Sequence, residues 1–174
     1  MPGGLAHDSV DEPLGLLLLP CALEEFELEE HARGLLQIPR VVALEPGRFK
    51  TPSFIRDAAA LRSAKRLKLP GKPRLVVLYH PIQYPLARAL CARHGDVELW
   101  YVRPDPDSLR DQGGYSRDNQ LELDELAVAR AARPVTWGAA EVLAAQTASM
   151  RDRMSELGII SHRPFVPGGR VKAR

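Results

Sequence analysis

The stretch Arg74-Leu-Val-Val-Leu-Tyr79, followed by His80-Pro-Ile-Gln-Tyr-Pro-Leu-Ala-Arg-Ala-Leu-Cys-Ala-Arg-His94, decides the fold. Its first part is a continuous apolar run between Pro73 and Pro81. A run with no polar alternation predicts a strand buried on both faces. From Pro85 onward Leu86, Ala89 and Leu90 recur at helical spacing, flanked by Ala87 and Cys91. Pro85 suits a first helical turn, where its missing N–H costs nothing. Gly95 stops the helix, and Val97-Glu-Leu-Trp-Tyr-Val102 predicts the next strand. Strand, loop, helix, strand is a βαβ unit, which implies a parallel sheet with right-handed crossovers. Tyr79, His80, Gln83 and Tyr84 then fall at the carboxyl end of a parallel strand, where open α/β sheets bind ligands.

The same alternation extends in both directions. Leu14 to Leu19 predicts a first strand. A segment from Ala22 to Arg33 predicts an acidic helix closing at Gly34, its apolar positions being Leu23, Phe26 and Leu28. Five glutamates lie between Glu24 and Glu30, which a solvated helix face explains. Pro39 to Pro46 holds a second strand with Glu45 at its carboxyl end. Ser53 caps a helix running to about Lys68, with Leu61 and Leu67 on its apolar side. The cations Arg62, Lys65, Arg66, Lys68, Lys72 and Arg74 gather where that helix ends. A helix carboxyl terminus favours cations without any ligand, and contact with a phosphate or an acidic lipid is the alternative. Beyond Val102, a Pro/Gly/Asp-rich loop leads to a helix over about Asn119–Ala132. Pro134–Trp137 predicts a short strand, and a long helix follows from about Ala140 to Leu157, capped by Gly158. Ile159-Ile160 is read as the start of a last short strand. The expected fold class is α/β, a doubly wound, mostly parallel Rossmann-like sheet with helices on both faces. Residues 1–12 are read as a flexible N-terminal tail, 13–166 as one domain, and 167–174 as a flexible basic tail.

Bulk properties narrow the function. A chain of 174 residues suits one domain with a real core. A hydrophobic content of 45% and a net charge of +2 are ordinary for a globular protein. That balance argues against nucleic acid as a partner, which would need a concentrated basic face. Cys21 and Cys91 are the only cysteines and are read as buried or half-buried thiols. No metal site is expected, because no CxxC, HxxxH or HExxH spacing occurs. The apolar run Leu14–Leu19 is too short to span a bilayer, and acidic residues rather than basic ones precede it. No transmembrane segment is expected, and the location is read as cytoplasmic, with peripheral membrane association left open.

Neither GxGxxG nor GxxxxGK[ST] follows any strand, and there is no GxSxG. Resident NAD, FAD and P-loop nucleotide chemistry and an α/β-hydrolase are therefore unsupported, and no bound cofactor is expected. Among single residues, His80 stands out. It follows a buried strand and precedes a helix amino terminus, where it suits a general base or an anion contact. The alternative is a loop histidine bonded to backbone. Tyr79, Gln83 and Tyr84 suit hydrogen bonding and stacking on a sugar, or packing. Asp105, Asp107 and Asp111 fit no calcium-loop spacing. Trp100 and Trp137 are read as core or crevice wall.

Taken together, the order of features resembles the amino-terminal half of GT-B glycosyltransferases of the group-4 type used in bacterial surface polysaccharide synthesis. The residues that carry the resemblance are Arg40-Val-Val-Ala-Leu-Glu-Pro46, the central strand Leu75–Tyr79, and Trp100-Tyr-Val-Arg-Pro-Asp105. They continue through Asp124-Glu-Leu-Ala-Val-Ala-Arg-Ala-Ala-Arg-Pro-Val-Thr-Trp-Gly-Ala-Ala-Glu-Val-Leu143 to the turn Val166-Pro-Gly-Gly-Arg170. Arg133, Gly138 and Gly168 stand where the family has Asp, Ser and Asn. The resemblance implies an acceptor-side half. Its ligand crevice would hold His80, Gln83, Tyr84 and Asp105, and its ligand would be a sugar or a lipid-linked acceptor. The catalytic residues are left unassigned. The family's donor site lies in a second domain, so a nucleotide sugar would bind only if a second domain or a partner chain supplies that site. The chain is then expected to be incomplete for catalysis alone. A non-catalytic α/β protein-interaction module is the alternative, and a small flavodoxin-like or methyltransferase-like enzyme a third reading.

Overall fold

The computed structural model describes residues 12–19, 26–45, 53–102, 128, 133–135, 140–160 and 171–172. Strands β1 (Pro13–Leu18), β2 (Val41–Glu45), β3 (Lys72–Leu78), β4 (Glu98–Val102), β5 (Arg133–Val135) and β6 (Val171–Lys172) form one sheet. Its order is β5-β4-β3-β1-β2-β6, and every described pairing is parallel. Helices α1 (Phe26–Leu36), α2 (Ser53–Arg66), α3 (Tyr84–His94) and α4 (Ala140–Glu156) cover both faces. This is a doubly wound α/β sheet. Its inner order 2-1-3-4-5 is that of flavodoxin-like sheets, whose switch point lies between β1 and β3.

Side-chain alternation along the strands divides the core in two. On one face Leu14, Leu16, Leu18, Val76, Leu78 and Tyr101 meet α2 and α3. On the other, Leu17, Leu75, Val77, Tyr79, Trp100 and Val102 meet α1 and α4. Leu16, Leu17, Leu18, Leu75 and Leu78 are fully buried. Each contributes about 2 kcal/mol of hydrophobic stabilisation, which explains why Leu14–Leu18 and Leu75–Leu78 hold no polar side chain. Val128, helical and buried, joins the α2/α3 face.

Several local features differ from the expectation. Gly34 does not end α1, which continues to Leu36. The glycine instead lies where α4 comes close, and Arg151 Nη2 donates to its carbonyl at 2.9 Å. Leu61 faces solvent at 48% exposure. Among the described side chains of α2 the buried ones are Ala60 and Ala64, small residues one turn apart that let the helix lie close to the sheet and α3. Ile159-Ile160 is not a strand. Gly158, at φ 74°, ends α4 by donating its N–H to Ser155, and the Ile159 N–H bonds back to Met154. The sixth strand is Val171–Lys172, which pairs with Leu44 and Glu45 inside the segment read as a basic tail. At the other end Glu12 is tied to the sheet as well. Its carbonyl accepts the Lys72 N–H at 2.8 Å, and its carboxylate pairs with the buried Arg40 at 3.0 Å.

The β1–β3 register shifts once, since Leu14 is opposite Pro73 and Gly15 is opposite Leu75. Arg74 is the extra residue, and Pro73 has no N–H to give the ladder there. Released from the register, Arg74 reaches Asp96 at 2.9 Å.

Candidate functional site

The chain leaves β1 toward β2 and leaves β3 toward β4, so the two connections diverge over the carboxyl ends of neighbouring strands. Such a divergence is the usual ligand position in open α/β sheets. On the β3 side the connection is Tyr79-His80, then a 3-10 turn over Pro81–Gln83, then α3. The His80 carbonyl accepts the Gln83 N–H at 3.1 Å and closes the turn.

Gln83 occupies the N-cap position of α3. Its side chain does not cap the helix, a role that suits shorter Ser, Thr, Asp or Asn. The residue is 3% exposed, yet neither Oε1 nor Nε2 has a hydrogen-bond partner. A buried amide left unpaired costs about 1–3 kcal/mol. The backbone N–H groups that open α3 lie beside it, so the place offers an acceptor, a donor and a partly positive helix end.

His80 is 1% exposed and has an interaction of its own within the fold. Tyr84 is half-buried and packs against the α2/α3 core. Asp105, the fourth expected crevice residue, lies outside the described residues, as do Cys21, Trp137, Asp107 and Asp111. Three of the four expected crevice residues thus sit together at the end of β3, and both amide atoms of Gln83 lack a hydrogen-bond partner.

One residue at this end was not anticipated. His31, in α1, is 4% exposed and lies 3.1 Å through Nδ1 from the hydroxyl of Tyr79. The rings meet edge to face, with centroids 5.8 Å apart at 67°. Burial lowers the His31 pKa from 6.5 to about 4, so the imidazole is neutral near pH 7. Burial also pushes the Tyr79 hydroxyl well above its ordinary value, so it stays protonated. If Tyr79 O–H donates to Nδ1, the proton of the neutral ring is on Nε2, and that atom is buried without a partner. The pair fixes α1 to the carboxyl end of β3. Its 48-residue separation hides it from any local pattern.

Glu98 holds the far side of the sheet in place. It accepts from Trp100 Nε1 at 2.7 Å and from Arg153 Nε at 2.8 Å, which ties β4 to α4. Cys91 is a free, half-buried thiol whose pKa burial raises, so it is no activated nucleophile. Among the described residues no group of three or more His, Cys, Asp or Glu is placed to hold a metal ion. No helix among them is long and apolar enough to cross a membrane. Fold and site together define a doubly wound α/β domain with a polar, unpaired group at its switch point. Comparison with known proteins gives no match: no family model, no curated protein and no solved structure matches the chain.

Proposed function

We propose that the chain is a glycosyltransferase-like, acceptor-side α/β domain whose switch-point crevice binds a hydroxylated, sugar-like ligand. The observation that carries this reading is Gln83, buried at the carboxyl end of β3 with its amide oxygen and nitrogen both unpaired. A sugar presents vicinal hydroxyls, each able to donate and accept, and so satisfies both ends of one amide. The end of β3, the start of α3 and the half-buried Tyr84 support the same ligand class. Donor activation belongs to a second domain or a partner chain, in keeping with the absence of phosphate-cradling glycine motifs. On its own the domain binds and does not transfer.

The test is a thermal-shift comparison of the wild-type protein and Gln83→Met. The probes are glucose, galactose, N-acetylglucosamine and octyl glucoside, with UDP-glucose as a donor control. The substitution keeps the side chain's length and removes both unpaired atoms. Without ligand the variant should be more stable by about 1–3 kcal/mol. At least one acceptor-type sugar should raise the wild-type Tm and leave the variant unmoved, while UDP-glucose moves neither. A sugar response identical in both proteins, or none in either, would overturn the reading.

A further inference from the structure

The opposite end of β3 carries a second feature, independent of the crevice. The last turn of α2, the segment after it, the first residue of β3 and the last turn of α3 enclose a cavity of about 740 Å³. Its polar walls are Lys65, Arg66, Lys68, Lys72, Arg93 and His94, and among the described residues no acidic side chain lines it. The carboxyl ends of two helices meet here, which explains part of this charge. Arg93 does that work, donating from Nη1 to the carbonyl oxygens of Ala64 and of Leu67, the latter at 3.2 Å. Lys65, Arg66, Lys68 and Lys72 are not needed for it, and none is ion-paired with a described residue.

Two further observations concern the same walls. His94 Nε2 is buried without a hydrogen-bond partner. The imidazole is held below its ordinary pKa by burial first, then by the charges of Arg93 and Lys72. The nearest carboxylate in sequence, Asp96, is taken by Arg74 at 2.9 Å. The cavity is also rigid at its base. Lys72 donates its N–H to Glu12, and a Cβ on Gly71 would stand 2.5 Å from the Glu12 carbonyl oxygen. A tied backbone, four basic side chains without an ion pair among the described residues and an unsatisfied imidazole make a preorganised place for negative charge.

We propose that this cavity is a binding site for a phosphate-bearing ligand with two or more negative charges. Its volume falls in the range of small-molecule sites and exceeds what one phosphate fills. The ligand is either a free phosphorylated molecule or a phospholipid headgroup. Lys65, Arg66, Lys68 and Arg93 supply exposed charge at the mouth, the half-buried Lys72 sits deeper, and His94 Nε2 donates a hydrogen bond to a phosphoryl oxygen.

The test is an NMR titration of the His94 imidazole with inorganic pyrophosphate at constant ionic strength. Pyrophosphate should bind saturably and raise the His94 pKa, because it neutralises the charges that now depress it. The double variant Lys65→Gln/Lys68→Gln changes only exposed side chains. It should melt like the wild type and bind about tenfold more weakly. Flotation on phosphatidylcholine vesicles with and without a phosphatidylinositol bisphosphate separates the sources. Binding to the loaded vesicles, competed by pyrophosphate, means a headgroup. Pyrophosphate binding without vesicle binding means a free phosphorylated molecule. Either supports the proposal. It is overturned if sodium chloride at equal ionic strength moves His94 as far as pyrophosphate, or if the double variant binds as tightly as the wild type.

Discussion

Lowering the pH from 7 to 4 forces a proton onto an imidazole that the fold keeps dry. His31 is 4% exposed, and burial holds its pKa at about 4 against 6.5 for a free histidine. Between those two values the unfolded chain binds the proton and the folded chain does not. Stability must therefore fall as the pH falls through that window. Each unit of the gap is worth ~1.4 kcal/mol. The cost is therefore about 2 kcal/mol by pH 5 and approaches ~3 kcal/mol near pH 4, relative to pH 7. The assay is urea unfolding at half-unit pH steps, for the wild type and for His31→Gln, which can still hydrogen-bond Tyr79 but cannot titrate. Carboxylates and the remaining histidines titrate alike in both proteins, so the difference in their pH slopes isolates His31. The wild type should lose about 2 kcal/mol more than the variant between pH 7 and pH 5. Parallel curves would refute the claim that this imidazole is buried in its neutral form.

Two further predictions concern the scaffold. Leu16→Ala, at a fully buried position in the middle of β1, should cost about 2–5 kcal/mol in denaturant unfolding, and a loss below about 1 kcal/mol would contradict the packing described. Gly71→Ala should destabilise the protein although the backbone there has no positive φ, because the new methyl meets the Glu12 carbonyl; an unchanged Tm would show that this approach is not tight.

The fold was legible because its decisive elements are extreme. A strand buried on both faces has no room for a polar residue, so Leu75–Leu78 and Leu14–Leu18 announce themselves. Gly95 and Gly158, at φ 77° and 74°, end their helices as expected of glycines. Gly34 misleads because a glycine inside a helix looks locally like one that ends it, and here α1 runs on to Leu36. Leu61 faces solvent while Ala60 is buried because packing against α3 rewards small residues, which apolar periodicity does not register. In the candidate site, the place of His80, Gln83 and Tyr84 follows from the strand–helix order. That Gln83 is unpaired does not, since satisfaction depends on every neighbour. The His31–Tyr79 contact and the joining of Arg93 and His94 to the lysine cluster were hidden for a related reason. Their partners come from different elements of the fold, and no spacing along the chain encodes them.

The central claim is that the Gln83 amide awaits a ligand, and its own protons report on it most directly. The measurement is a titration of the ¹⁵N-labelled protein with the acceptor-type sugars, following the side-chain NH₂ pair assigned through Gln83→Met. The account predicts that a binding sugar shifts this pair among the most strongly affected signals and protects it from exchange with solvent. A sugar that binds while the Gln83 pair stays still would contradict it.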